Sequence, residues 1–365
     1  MPKNIIICCD GTGNEFGRSN SNVVKLYGIV DRIPNHQIAY YDPGVGTTKS
    51  PGIGLSIKAN ARKLLGLVTG YGLYDNVYEA YSYLMENYED GDKVFLFGFS
   101  RGAYTVRVLA GFLFFTGLLE KGCQNLIPYA FNIYSQKKPD FDKGFRFKAR
   151  FSRTCKIEFM GIWDTVSSVG YFGNWRTFPY TANNKLIKTI RHAIAIDERR
   201  AYYTQNNLGS KNADVQDIKE VWFPGVHSDV GGSYPEEESG LAKIPLQWML
   251  NEAFNHGLIV DFKRYMRVVL GDGGKYVEPN PLGKLHKSLR SFWYTAEIIP
   301  KSVYDYDNDK KSIIIPFGKR RTIVEDSFIH ESVFQRLKGD STYKPKNLPE
   351  KYQVEETIDN IVSET

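Results

Sequence analysis

The stretch KVFLFGFSRGAYTVRVLAGFL, residues 93–113, constrains this chain more than any other. Residues 94–98 form an apolar run with no polar alternation, the pattern of a central strand covered on both faces. Gly98-Phe99-Ser100-Arg101-Gly102 closes that run and leads at once into a helical pattern extending to about residue 115. A G-x-S-x-G sequence between a strand and a helix is the context of a nucleophile elbow. Gly98 and Gly102 remove side chains that would collide in so sharp a turn. The hydroxyl of Ser100 then stands above the sheet edge, and the helix N-terminus beneath it favours developing negative charge. The competing reading is a structural turn.

Strand-like and helical runs alternate along the rest of the chain. Residues 5–9, 37–41, 156–162 and 218–223 read as strands, and 292–299 as a further one. Val23, Leu26, Tyr27, Val30 and Ile33 mark one helical face that Pro34 ends; Val77, Ala80, Tyr81, Leu84 and Tyr88 mark another. Residues 187–196 and 241–256 also read as helices, and a short basic helix is expected around 57–67. Alternating β and α predicts an α/β fold with a mostly parallel central sheet, helices on both faces, and loop or helix insertions. We read residues 1–337 as one catalytic domain and 338–365 as a charged, loosely packed tail.

Composition narrows the partners. A net charge of +6 over 365 residues is mild; it favours peripheral contact with an anionic membrane surface and is too diffuse for nucleic acid. Cys8, Cys9, Cys123 and Cys155 have no CxxC spacing, so neither a metal site nor a disulfide framework is expected, and a reducing compartment fits. No cofactor motif stands out. No signal peptide is visible. The longest apolar run, 108–119, is broken by Gly111, Thr116 and Gly117 and is too short to span a bilayer. Cytoplasmic residence, or export without a cleaved signal peptide, is expected.

An activated serine requires a base and an orienting acid, in the chain order Ser, Asp or Glu, His for this architecture. His36 precedes the serine. His192 and His256 sit in helical patterns, and His286 and His330 lie in C-terminal stretches. His227, in VWFPGVHSDVGGS, directly follows a strand in a glycine-flanked loop. It is the expected base. Asp164, in KIEFMGIWDTVSSVG, ends an earlier strand at the edge where parallel sheets place their sites, and is the expected acid. Its alternative is a cap or turn aspartate. Asp229, two residues from His227, is a rival that chain order assigns to bracing its own loop.

The opening loop, IIICCDGTGN, admits three readings. An aspartyl-phosphate phosphatase needs Asp two residues before Asp10, where Cys8 stands. A dinucleotide fold needs G-x-G-x-x-G, whereas Gly11, Gly13 and Gly17 give one residue too many, and Asp10 repels a pyrophosphate. The third reading is an oxyanion loop, with one backbone N–H from Arg101 and a second from Gly11 or Thr12, and Asp10 fixing the loop.

CCDGTGN, YYDPGVGT, FLFGFSRGAYTVRVLAGFL, GIWDTVSSVG, WFPGVHSDVGGSYP and IHESVFQRL, in this order, resemble the catalytic domain of type VI secretion phospholipase effectors. This is an α/β-hydrolase family also known as domain of unknown function 2235. The resemblance implies a Ser-Asp-His triad at Ser100, Asp164 and His227, and cleavage of acyl esters in glycerophospholipids. Many members have no assigned substrate, so a small-ester carboxylesterase remains the alternative, as does a binding or regulatory scaffold on the same fold. A patatin-like Ser-Asp dyad through Asp229 is a further variant. A secretion or immunity partner is compatible with the resemblance, though the sequence itself carries no mark of one. The aromatic stretch 171–180 and the glycine-rich 43–67 are candidate lid or acyl-chain wall segments.

Overall fold

The computed structural model describes residues 2–11, 17–44, 72–136, 138–166, 170–171, 174–175, 178–182, 184–200, 203, 207–208, 216–289, 293–294, 297–298, 301–305 and 310–363. Eight strands form the central sheet: β1 (Asn4–Cys9), β2 (Gln37–Asp42), β3 (Lys93–Phe99), β4 (Ile157–Trp163), β5 (Ile187–Ala195), β6 (Asp217–Phe223), β7 (Ser327–His330) and β8 (Tyr352–Glu355). Their order is β8-β7-β6-β5-β4-β3-β1-β2, and every pairing is parallel. The helices are α1 (Asn22–Ile29), α2 (Leu73–Asn87), α3 (Arg101–Thr116), α4 (Ile127–Tyr134), α5 (Phe141–Phe151), α6 (His227–Gly231), α7 (Gly240–Asn255), α8 (Phe262–Val268), α9 (Glu331–Gly339) and α10 (Asn360–Ser363).

Strand pleating distributes the core. Ile5, Ile7 and Cys9 of β1 face one layer, which α2, α3 and α4 cover with Val77, Leu84, Leu109, Phe112 and Phe131. Ile6 and Cys8 face the other, closed by α1, α7 and α8 through Leu26, Trp248 and Tyr265. The result is an α/β-hydrolase-like sheet sandwiched by helices, as the alternating pattern predicts. Because β2 and β3 flank β1 on opposite sides, the chain direction reverses across the sheet there. Open parallel sheets bind ligands outside the carboxyl ends of the strands at such a point, here those of β1 and β3.

Three expectations need correction. Of residues 187–196, Ile187–Ala195 form β5 and not a helix. Ile187, Ile190 and Ile194 imitate a helical stripe, but the strand is central and buried on both faces, so polar residues within it are covered too. Two of those polar side chains are paired: Arg191 with Asp217 and Glu252, and His192 with Glu220 at 2.8 Å. In 292–299, read as a strand, Trp293 and Tyr294 are helical and Glu297 and Ile298 lie in a turn; the other residues there are outside the described set. The segment from 338 onward is not loose: it supplies β8 and α10. Glu355 accepts from Trp248 Nε1 at 3.0 Å and from Lys219 Nζ at 2.9 Å, and Ile361 is buried. The expected helix at 57–67 lies outside the described residues. Among the described residues no helix is long and apolar enough to cross a membrane.

Candidate active site

Ser100 joins β3 to α3 with φ 58° and ψ −118°, a backbone that side chains rarely accept. The two flanking glycines make the turn feasible. A Cβ on Gly98 would lie 2.6 Å from the backbone of Ala103, and one on Gly102 would lie 2.1 Å from the Cys9 carbonyl oxygen. Removing those atoms lets α3 start directly against the end of β1. Ser100 N–H donates to the Trp163 carbonyl at 3.0 Å, which ties the turn to β4.

His227 opens α6, directly after β6, and Asp164 ends β4 with φ 39°. The fold brings both to Ser100. His227 Nε2 lies 2.9 Å from Ser100 Oγ, and His227 Nδ1 lies 2.5 Å from Asp164 Oδ2. The imidazole is clamped between Phe99, with ring centroids 4.6 Å apart, and the edge-on ring of Tyr203 at 4.7 Å. Burial pushes its pKa below the ordinary value, against the opposing pull of Asp164. Burial acts to raise Asp164, but the Arg321 guanidinium and the bond from His227 outweigh it, holding the carboxyl well below the usual carboxylate range. A neutral imidazole between a hydroxyl and an ionised carboxylate is the arrangement that activates an oxygen nucleophile.

Several contacts around these residues carry no motif. Arg321 donates from Nη2 to Asp164 Oδ2 at 3.0 Å and from Nη1 to Oδ1, while Ala195 N–H donates to Oδ1 at 2.9 Å. Glu198 accepts from His227 N–H at 3.1 Å and pairs with Arg200, whose guanidinium lies 3.6 Å from the Tyr203 ring centre. Burial acts to raise Glu198, yet the bonds and charge of Arg200 bring it down to about 2. The run Asp-Glu-Arg-Arg at 197–200 would have been a visible signal, had 187–196 been read as a strand ending at this edge. Arg321 had none.

Asp229 bonds within its own loop and to His286. Its Oδ2 accepts from Val226 N–H at 3.0 Å, and its Oδ1 lies 2.6 Å from His286 Nδ1. His286 Nε2 reaches Glu238 at 2.8 Å beneath the stacked ring of Tyr234. Asp10 likewise fixes the opening loop: it accepts from Gly11 N–H at 2.6 Å, Ser21 Oγ at 2.5 Å and Tyr41 Oη at 3.0 Å. Gly11 therefore already donates the N–H expected to meet an oxyanion, a correction to its expected role, because the adjacent carboxylate captures it. Thr12 lies outside the described residues, as do 45–67 and residues 172, 173, 176 and 177 of the two candidate lid segments. Arg101 occupies the first turn of α3, directly after Ser100.

Residues 3–252 match the model of the type VI secretion system phospholipase effector Tle1-like catalytic domain. The chain belongs to that family. The Tle1-like match contains Ser100, Asp164 and His227 and stops before His286 and Arg321. An uncharacterized protein of Saccharomyces cerevisiae, YEL023C, is 36% identical over 225 residues, covering 56% of this chain and 32% of the yeast protein. The chain thus spans about a third of the length of that relative, 32%. An uncharacterized protein from Pseudomonas aeruginosa, known as a crystal structure, is 20% identical with a TM-score of 0.41, covering 71% of this chain and 46% of that one. The structure of the Tle1 effector bound to the VgrG spike of the type 6 secretion system is 19% identical with a TM-score of 0.39, covering 66% and 52%.

Proposed function

We propose that this Tle1-like chain is a serine hydrolase of carboxylic esters, acting on the acyl esters of glycerophospholipids. The observation that carries this reading is the continuous chain of Ser100 Oγ, His227 Nε2, His227 Nδ1 and Asp164 Oδ2, at 2.9 and 2.5 Å. Ser100 Oγ attacks the ester carbonyl as His227 Nε2 takes its proton. The tetrahedral oxyanion collapses, the C–O bond to the leaving alcohol breaks, and His227 returns the proton to that alcohol. Water then attacks the acyl-serine by the same route and frees the carboxylic acid. Asp164 holds the imidazole's tautomer and stabilises the imidazolium. The Arg101 N–H is one oxyanion donor in this scheme, and the second is the expected role of Thr12, which lies outside the described residues.

The lipid substrate follows the family's description, and the mild positive charge favours peripheral contact with anionic membranes. A VgrG-type delivery partner is the corresponding proposal for assembly, by likeness to the Tle1 effector. A Ser-Asp dyad through Asp229 is disfavoured, since both of its oxygens already hold the His227 loop and His286. The test is intact-mass labelling with a fluorophosphonate, wild type against Ser100→Ala, followed by a panel of phospholipids and short-chain esters. Stoichiometric labelling lost in the variant supports the reading. A folded wild type that never labels, with or without lipid, would favour the scaffold alternative. Turnover of small esters alone would replace the lipid substrate with the carboxylesterase reading.

A further inference from the structure

Arg321 lies 157 residues from Asp164 in sequence, beyond the family match, yet it is the largest charged group in contact with that carboxylate. It is buried, at 8% exposure, just before β7. Its two Nη atoms reach both Asp164 oxygens and also donate to the Ala195 carbonyl at 3.0 Å and the Tyr203 carbonyl at 2.6 Å. The C-terminal segment holds it there. Asn347 Nδ2 donates to the Arg321 carbonyl at 3.1 Å and the Ile196 carbonyl at 3.0 Å. Tyr343 Oη donates at 2.9 Å to Asp197, which pairs with the neighbouring Arg320.

Such a contact has two physical consequences. The bidentate fork, with Ala195 N–H, leaves Asp164 one orientation, so the ring bonded to its Oδ2 is aimed as well. The guanidinium also neutralises much of the carboxylate's field, which lessens the advantage the carboxylate gives to an imidazolium. The other charged and polar groups facing His227 are Glu198 and Arg200 on the segment after β5 and Tyr203 beside them, and the first two offset one another. We infer that Arg321 is a positioning residue: by gripping Asp164 it aims His227 at Ser100 and keeps that imidazole neutral, making the C-terminal third of the chain part of the site.

This rests on the proposed hydrolase reading, and the test separates the two. The His227 imidazole is titrated by NMR in wild type, Arg321→Gln and Arg321→Lys, and fluorophosphonate labelling of Ser100 is followed against pH. Gln removes the charge, so the His227 midpoint should rise by about one pH unit and labelling at neutral pH should slow by about tenfold. Lys retains the charge but not the fork, so the midpoint should stay while labelling slows. A folded Arg321→Gln with an unmoved midpoint overturns the inference. Should Gln fail to fold, Lys decides: labelling at the wild-type rate overturns it. A wild type that does not label removes the hydrolase reading and leaves the NMR midpoint to judge Arg321.

Discussion

Gly231 faces Phe99 so closely that a Cβ on it would lie 1.9 Å from the ring. Phe99 precedes Ser100, and its ring also packs on His227. One contact therefore registers helix α6, which carries His227, against the turn that carries Ser100. Gly231→Ala must push α6 or Phe99 aside, at about 1–3 kcal/mol of stability for overpacking. Urea denaturation should show that loss, and fluorophosphonate labelling should fall at least tenfold or so, as small misplacement near reacting groups does.

Asp229 and His227 sit two residues apart but should behave differently. His227→Ala removes the base and should lower turnover by about 10³-fold or more in a folded protein. Asp229→Asn can keep one acceptor, for the Val226 N–H, while it turns an amide N–H toward His286 Nδ1 and loses the charge, so activity should fall only several-fold. Ester hydrolysis by the two purified variants, side by side, checks the order. Asp229 emerging as the more damaging would revive the dyad.

Two buried histidines should give the stability–pH curve opposite slopes. Burial opposes the charge on His286, but its bonds to Asp229 and Glu238 raise it above its ordinary value. Its stabilisation is therefore complete below the unfolded pKa and is lost as pH rises through the raised one. Burial lowers His330 to about 3, so stability falls as pH drops from about 6.5 toward that value. Urea midpoints should follow. Wild type should exceed His286→Asn most at pH near 5.5, and the gap should narrow above neutrality. His330→Asn, which puts a side-chain oxygen in place of the ring Nδ1 that accepts from Ser332 N–H at the N-terminus of α9, should flatten the acid side.

Ending the chain after Leu337 should not yield a working domain. The cut removes β8 and α10, exposes the edge of β7, and strips Trp248 Nε1 of its acceptor on Glu355. It also removes Asn347, which fastens the backbone of Arg321. Soluble yield and labelling of residues 1–337 against the full chain would measure this, and the expected result is aggregation or loss of labelling.

The elbow was legible because its chemistry is local: strand, glycines and helix all fall within twenty-one residues, 93–113. Chain order then sufficed to single out Asp164 and His227, which the fold brings beside Ser100. β5 was misread because a strand buried on both faces has no alternation to reveal it, and its isoleucines fall at helical intervals. The Gly11 expectation failed on a side-chain detail, the capture of its N–H by Asp10. Arg321 left no trace, since its role depends on tertiary contacts with Asp164, Ala195 and Tyr203 that no spacing encodes. The tail read as loose because charge and proline outnumber its few buried anchors, Tyr343 and Ile361.

Ser100, with φ at +58°, keeps a side chain where only glycine is at ease. The fold thus carries a standing conformational penalty at the very residue assigned the chemistry, about 1–3 kcal/mol for such backbones. Two inactivating replacements are then not equivalent. Alanine retains the Cβ and its strain; glycine releases it, so Ser100→Gly should melt above Ser100→Ala in calorimetry. On the proposed function, catalytic competence and thermal endurance are opposed at that single position, and a chain selected only for ruggedness would drift toward glycine there.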